Sequence, residues 1–312
     1  MSYYEPLQYV VPPEEDGFIL KTILQKRLGV SRKLLSRVKL TEQGIMVNGE
    51  RKYISVHVQA GDLVEVRMER EESDDIMPQE LPLEFLYEDQ DLLIVNKQAG
   101  MIVHPTHGHY INTIANGVVH YWQSKGERFR FRPIHRLDQE TSGVLAIAKN
   151  AYVHQQISEQ MIAHTIHKEY LALVYGNVEA DKGTIEGPID RDPETPHMRI
   201  VTPTGYHAVT HYEVEARFGQ VTLVRIQLET GRTHQIRVHM KHIGHPLVGD
   251  KMYQLSQYQE LAEQIEQTIS RQALHAYKLG FTHPSTRQWI EFAAELPADM
   301  NLVINQLRIE ME

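Results

Sequence analysis

Apolar positions change period along this chain, and the changes mark its elements. Phe18, Ile19, Ile23, Leu24 and Leu28 fall at helical spacing and stop at Gly29, which suits a helix C-cap. Ser31 is placed to N-cap a second helix through Leu34, Leu35 and Val38. The run from Gly44 to Gly49 reads as a strand entering an Asn48-Gly49 turn, and Val56 to Val66 supplies further short strands. Asp91 to Lys97 holds an unbroken apolar run, as a strand buried on both faces requires, and Val144 to Ala148 repeats that pattern. Asn112 to Trp122 and Ala151 to His164 return to helical spacing, whereas His167 to Gly176 alternates as a strand. Residues 179 to 207 read as a mostly irregular insertion with short strands, and Val209 to Ala216 with Val221 to Leu228 as a hairpin joined at Gly219. A polar helix from about Gln254 to Arg271 precedes strands at Leu274 to Ala276, Leu279 to Phe281 and Trp289 to Phe292.

These elements divide the chain into a lead-in (1–15), a small α/β unit (16–69), an acidic linker (70–80) and a large domain (81–312). No cysteine occurs, so disulfides, thiolate metal sites and cysteine nucleophiles are excluded. No segment approaches a membrane span and the first residues carry no leader pattern, so a cytoplasmic protein is expected; it is also expected to be a monomer.

The net charge of −9 argues against a nucleic-acid partner, but its distribution weakens that argument. Lys21 to Lys39 contains seven basic residues and no acid, while Glu69 to Asp91 contains ten acids and one arginine. A second basic run, with Arg128, Arg130 and Arg132, leads into Arg132 to Gly143, a loop opened by Pro133 that carries Arg136 and Asp138. A carboxylate there can attack, abstract a proton, bind metal or only pair with a cation. Eighteen histidines invite a metal reading, but no recognised ligand spacing occurs and no metal is expected. Neither a P-loop nor a dinucleotide fingerprint is present, so no cofactor is expected either.

The wording of four stretches resembles the ribosomal large subunit pseudouridine synthases of the RluA/RluD type. They are Asn96-Lys97 through Gly100 to His104-Pro105, His135-Arg-Leu-Asp138 with Thr141-Ser-Gly143, Lys168-Glu-Tyr170, and Gly231-Arg-Thr-His-Gln-Ile-Arg237. Gln98 stands where that family usually has proline. The resemblance implies an α+β pseudouridine synthase fold with a central mixed, largely antiparallel sheet, and an isomerase acting on uridine in ribosomal or transfer RNA. It implies Asp138 as the catalytic acid, Tyr170 beside it, and Arg232 as the arginine that pairs with it. Arg136, Lys97, Arg130 and Arg237 are then expected to contact RNA. The small unit resembles an S4 RNA-binding domain, with Arg32, Lys33 and Arg37 as its contacts, although its opening Asp16-Gly-Phe-Ile departs from that pattern. Two rivals remain. A non-catalytic S4-type RNA-binding protein would lack the acid, tyrosine and arginine set, and a glycosidase would need Asp138 and Glu140 to straddle one bond.

Overall fold

The computed structural model describes residues 3–309; residues 1, 2 and 310–312, at the ends of the lead-in and of the large domain, lie outside it. The first unit is a four-stranded sheet of β1 (Leu7–Val10), β2 (Ile45–Val47), β3 (Glu50–Arg51) and β4 (Leu63–Val66) in the order β1-β4-β2-β3. Helices α1 (Leu20–Lys26) and α2 (Arg32–Val38) pack on it, and Ser31 Oγ accepts from Leu34 N at 3.1 Å, as expected of an N-cap. The unit begins before residue 16, because Leu7 to Val10 pair with Val66 to Leu63 and form an edge strand.

The large domain is built on ten strands. They are β5 (Glu84–Glu88), β6 (Leu92–Lys97), β7 (Arg132–Pro133), β8 (Ser142–Ala148), β9 (His167–Tyr175), β10 (Lys182–Glu186), β13 (Val209–Phe218), β14 (Val221–Leu228), β15 (Leu274–Thr282) and β16 (Trp289–Ala293). Their order is β10-β13-β14-β9-β15-β8-β6-β5, with β16 on β15 and β7 on β8. A separate two-stranded arm, β11 (Ile189–Arg191) and β12 (Arg199–Val201), occupies the insertion. The helices are α3 (Ile114–Ser124), α4 (Ala151–Ile162), α5 (Gln235–His242), α6 (Gln259–Ile265) and α7 (Ala298–Ile309). The polar helix expected over 254–271 is thus confined to α6 and a preceding 3-10 turn at Ser256–Tyr258. None of the helices among the described residues is long and apolar enough to cross a membrane.

Alternation in β6 and β8 explains how one sheet serves two cores. Leu92, Ile94, Val144, Ala146 and Ala148 pack with α4 on one face, and Leu93, Val95, Leu145 and Ile147 pack with α3 and α5 on the other. The first of these cores is continuous with that of the N-terminal unit, from Leu20 and Val64 to Val153, Ile157 and Phe281. Polar contacts reinforce the seam. Gln155 and Gln156 donate to the Gly29 carbonyl at 2.7 and 2.8 Å, and Tyr152 Oη donates to the Leu28 carbonyl at 2.9 Å.

The strand pair β8·β15 is parallel, with Gly143 opposite Ala276, whereas the other ladders of this sheet are antiparallel. Ala276 faces Tyr170 on β9, and Tyr170 faces Ile226 on β14. Gly143, Ala276, Tyr170 and Ile226 therefore form one row across four adjacent strands. That row brings the loop before β8, the tyrosine of β9 and the segment after β14 to one end of the sheet.

Candidate active site

Asp138 sits in the loop between β7 and β8, and a set of hydrogen bonds holds that loop in shape. The Asp138 carbonyl accepts from Thr141 N at 3.0 Å, and Gln139 O accepts from both Gly100 N at 2.9 Å and Lys97 Nζ at 2.8 Å. Arg271 Nη1, anchored by two hydrogen bonds to Asp299, donates to the Glu140 carbonyl at 3.0 Å. His135 Nε2 donates to the Val144 carbonyl at 3.2 Å, and burial with the nearby Lys168 charge pulls its pKa down to about 4, so it is neutral.

The Asp138 carboxylate is about one-third exposed and faces Arg237, whose Nη1 lies 3.3 Å from Oδ2. The pairing expected for Arg232 therefore belongs to Arg237. Arg232 donates from Nε to the His207 carbonyl at 3.1 Å and stacks over the Tyr206 ring at the rim, so its guanidinium is directed toward the arm. Arg237 is correspondingly not a surface RNA contact. It is buried on α5 and bound through Nε and Nη2 to both oxygens of Asp250, at 2.6 and 2.9 Å. Asp250 is itself fixed by Met252 N and Tyr253 N at 2.9 and 3.1 Å.

Lys97 is likewise not an RNA contact, because its ammonium is fully buried beneath the Asp138 loop and is spent on the Gln98 and Gln139 carbonyls. Arg136 and Arg130 are exposed, and Arg136 lines the cleft. Arg32, Lys33 and Arg37 are exposed on α2, with Arg37 paired to Glu71.

A cleft of about 440 Å³ opens on Asp138, and a smaller adjoining pocket of about 80 Å³ shares Asp138 and Tyr170 and adds Arg237. Around the larger cleft stand Arg136, Lys168 and Arg232, and Asp138 is the one carboxylate; Glu140 lines neither space. That removes the geometric basis for an Asp138–Glu140 glycosidase pair. Tyr170 is buried, and burial together with the Asp138 charge raises its phenol pKa, so the hydroxyl keeps its proton at neutral pH.

Four of these residues escaped the sequence reading as site residues. Lys168 shares a strand face with Tyr170 by the period of two, a signal that was present. His234, with Nε2 at 3.8 Å from Asp138 Oδ2, and the buried Asp250 and Tyr253 depend on a fold-back after β14 that periodicity does not show.

The sequence model of the family described as RNA pseudouridylate synthase matches residues 91–242, a span that includes Asp138, Tyr170 and Arg237. An uncharacterised RNA pseudouridine synthase of Bacillus subtilis, YlyB, is 43% identical over 267 residues, covering 85% of this chain and 86% of the relative. The chain belongs to the RNA pseudouridine synthase family. Ribosomal large subunit pseudouridine synthase D of Escherichia coli is 37% identical over 285 residues, covering 89% of this chain and 87% of that relative. The human RNA pseudouridylate synthase domain containing 4 shares the fold, with a TM-score of 0.59 at 24% identity over 72% of this chain and 93% of its own. Pseudouridine synthases are isomerases that convert uridine to pseudouridine in RNA, so this chain is such an isomerase with the mixed sheet of that fold.

Proposed function

We propose that Asp138 is the catalytic carboxylate of this RNA uridine isomerase, and that a flipped-out nucleotide occupies the cleft between Asp138, Tyr170 and Arg136. The observation that carries this reading is a lone carboxylate, ion-paired to a buried arginine, in a cleft whose lining also brings Arg136, Lys168, Arg232 and Tyr170 around it. The reaction breaks the N1–C1′ bond, turns uracil and joins C5 to C1′; the C5 proton leaves and N1 gains one. An ionised group is needed beside the sugar and the base, and the Arg237 guanidinium, 3.3 Å from Asp138 Oδ2, fixes the direction of that carboxylate.

Tyr170, being neutral, acts as a wall against which uracil packs rather than as an ionised base. Arg136, Lys168 and Arg232 give the rim the positive field that a phosphate backbone requires, despite the net charge of the whole chain. Extruding the nucleotide costs a few kcal/mol in a stacked helix and less in a loop, which favours structured RNA with unpaired uridines. The names of the relatives at 37 to 41% identity make large-subunit ribosomal RNA the first substrate to try, ahead of transfer RNA. In this reading the N-terminal unit is an S4-like RNA-binding domain that presents Arg32 and Lys33 to the same RNA.

Asp138→Asn tests the assignment. It should lower kcat by about 1000-fold or more while leaving RNA affinity within about threefold. Turnover within tenfold of the wild type, measured by pseudouridine formation in unmodified RNA, would remove Asp138 from the chemistry.

A further inference from the structure

The segment joining β14 to α5 contains a residue in an unusual conformation. His234, at the start of α5, has φ 57° and ψ 19°, a left-handed backbone that non-glycine residues seldom adopt. The turn aims its ring into the cleft, with Nε2 3.8 Å from Asp138 Oδ2 and Nδ1 2.9 Å from Tyr253 Oη. Tyr253 is buried, and its Oη also accepts the Arg199 N–H of β12 at 2.8 Å.

The hydrogen bonds fix the tautomer. A phenol oxygen that already accepts from Arg199 N has one proton of its own to give, and the partner in reach is His234 Nδ1. Nδ1 therefore accepts, Nε2 carries the hydrogen, and that hydrogen faces the carboxylate. Burial holds the imidazole pKa below its ordinary value, Asp138 opposing and Arg237 and Arg199 assisting, so the ring is neutral at pH 7. The same Tyr253 ring lies beneath the Arg237 guanidinium, 4.8 Å from its centre. One buried side chain thus touches both groups that face Asp138.

We propose that His234, held by Tyr253 as its Nε2–H tautomer, is a positioning residue that donates a hydrogen bond to Asp138 once a nucleotide fills the cleft. A separation of 3.8 Å is too long for that bond in the free enzyme, and catalytic hydrogen bonds often tighten only when substrate binds. Arg237 then fixes one side of the carboxylate electrostatically and His234 fixes it by direction. The strand β12 of the arm, which supplies the Arg199 N–H, sets the tautomer. This inference rests on the assignment of Asp138 made above.

The test uses full-length protein and unmodified total RNA from cells that lack the enzyme, with saturating kcat, RNA affinity and thermal stability measured in parallel. His234→Gly keeps the left-handed backbone and removes the ring; it should lower kcat by about 100-fold with RNA affinity unchanged. His234→Gln puts an amide donor near the position of Nε2 and should recover about tenfold of that loss. Tyr253→Phe should lower kcat by about tenfold, again without weakening RNA binding. The proposal is overturned if His234→Gly turns over within twofold of the wild type, if its loss lies in affinity rather than kcat, or if glutamine does no better than glycine. Should His234→Gly fail to fold, the glutamine and Tyr253→Phe results decide by the same criteria. Asp138→Asn run alongside separates the two readings: an active Asp138→Asn removes the parent assignment, whereas an inactive one with a fully active His234→Gly removes only this inference.

Discussion

At the scale of single residues, the site depends on a lysine that never meets solvent. Burial pulls the Lys97 ammonium down to about pKa 7, with Glu140 and Asp138 opposing and Arg271 assisting. The folded value lies below the ordinary 10.5, so between about pH 7 and 10.5 the folded chain binds fewer protons here than the unfolded one. Stability must then rise with pH through that window as far as this group is concerned. Lys97→Met should cost about 1 to 3 kcal/mol by stripping the Gln98 and Gln139 carbonyls of their donor. The stability gap between wild type and variant, from denaturant melts, should widen from pH 7 to pH 9; a gap that stays the same would mean that the buried ammonium keeps its charge across that range. Turnover should fall as well, because Gln139 follows Asp138 directly. Lysine in sequence reads as surface, and only the packing of β6 under the loop shows otherwise. The same limit governs the arginines. Arg232 and Arg237 stand five apart in one motif, and the left-handed turn at His234 between them directs the second, not the first, at the acid.

Among the elements, the contact between β8 and β15 has no room to spare. Gly143 has φ +113°, and a Cβ placed there would lie 2.2 Å from the Ala276 carbonyl oxygen. Gly143→Ala must therefore push β8 away from β15 in the row that carries Tyr170, at about 2 to 4 kcal/mol from strain and overpacking. Both a lower denaturation midpoint and reduced turnover are expected, and a variant as stable as the wild type would show that the row tolerates separation. Strands with continuous or alternating apolar patterns, such as β6, β8 and β9, were legible because burial on one or two faces writes itself into the sequence. Helix α7 passed unread although Met300, Val303, Ile304 and Leu307 carry the helical spacing and are buried. Strand β1 was obscured by prolines on either side of it, and its pairing with β4 spans more than fifty residues, a distance that local pattern does not bridge.

Over the whole molecule, the acidic linker is better described as a neutralising strap than as a spacer. Glu71 pairs with both Arg37 and Arg132, and Glu72 pairs with Arg128 at 3.1 Å, so three arginines flanking the linker are already paired. Exposed cations outside those pairs include Lys21, Lys26 and Lys39 around the two small helices, Arg32 and Lys33 on α2, and Arg130 and Arg136 toward the cleft. Removing the N-terminal unit would uncover Val153, Ile157 and Phe281, so a truncation confounds lost RNA contacts with a damaged core. Charge reversal avoids that. Replacing Arg32 and Lys33 together by glutamate should weaken RNA binding by about tenfold or more at 0.15 M salt and reduce the slope of log affinity against log salt by about 1 to 2. Saturating kcat should be preserved, since neither side chain approaches the cleft lined by Asp138. An unchanged salt slope would mean that RNA does not cross α2, and the positive rim around Asp138 would then have to hold the substrate without the N-terminal unit.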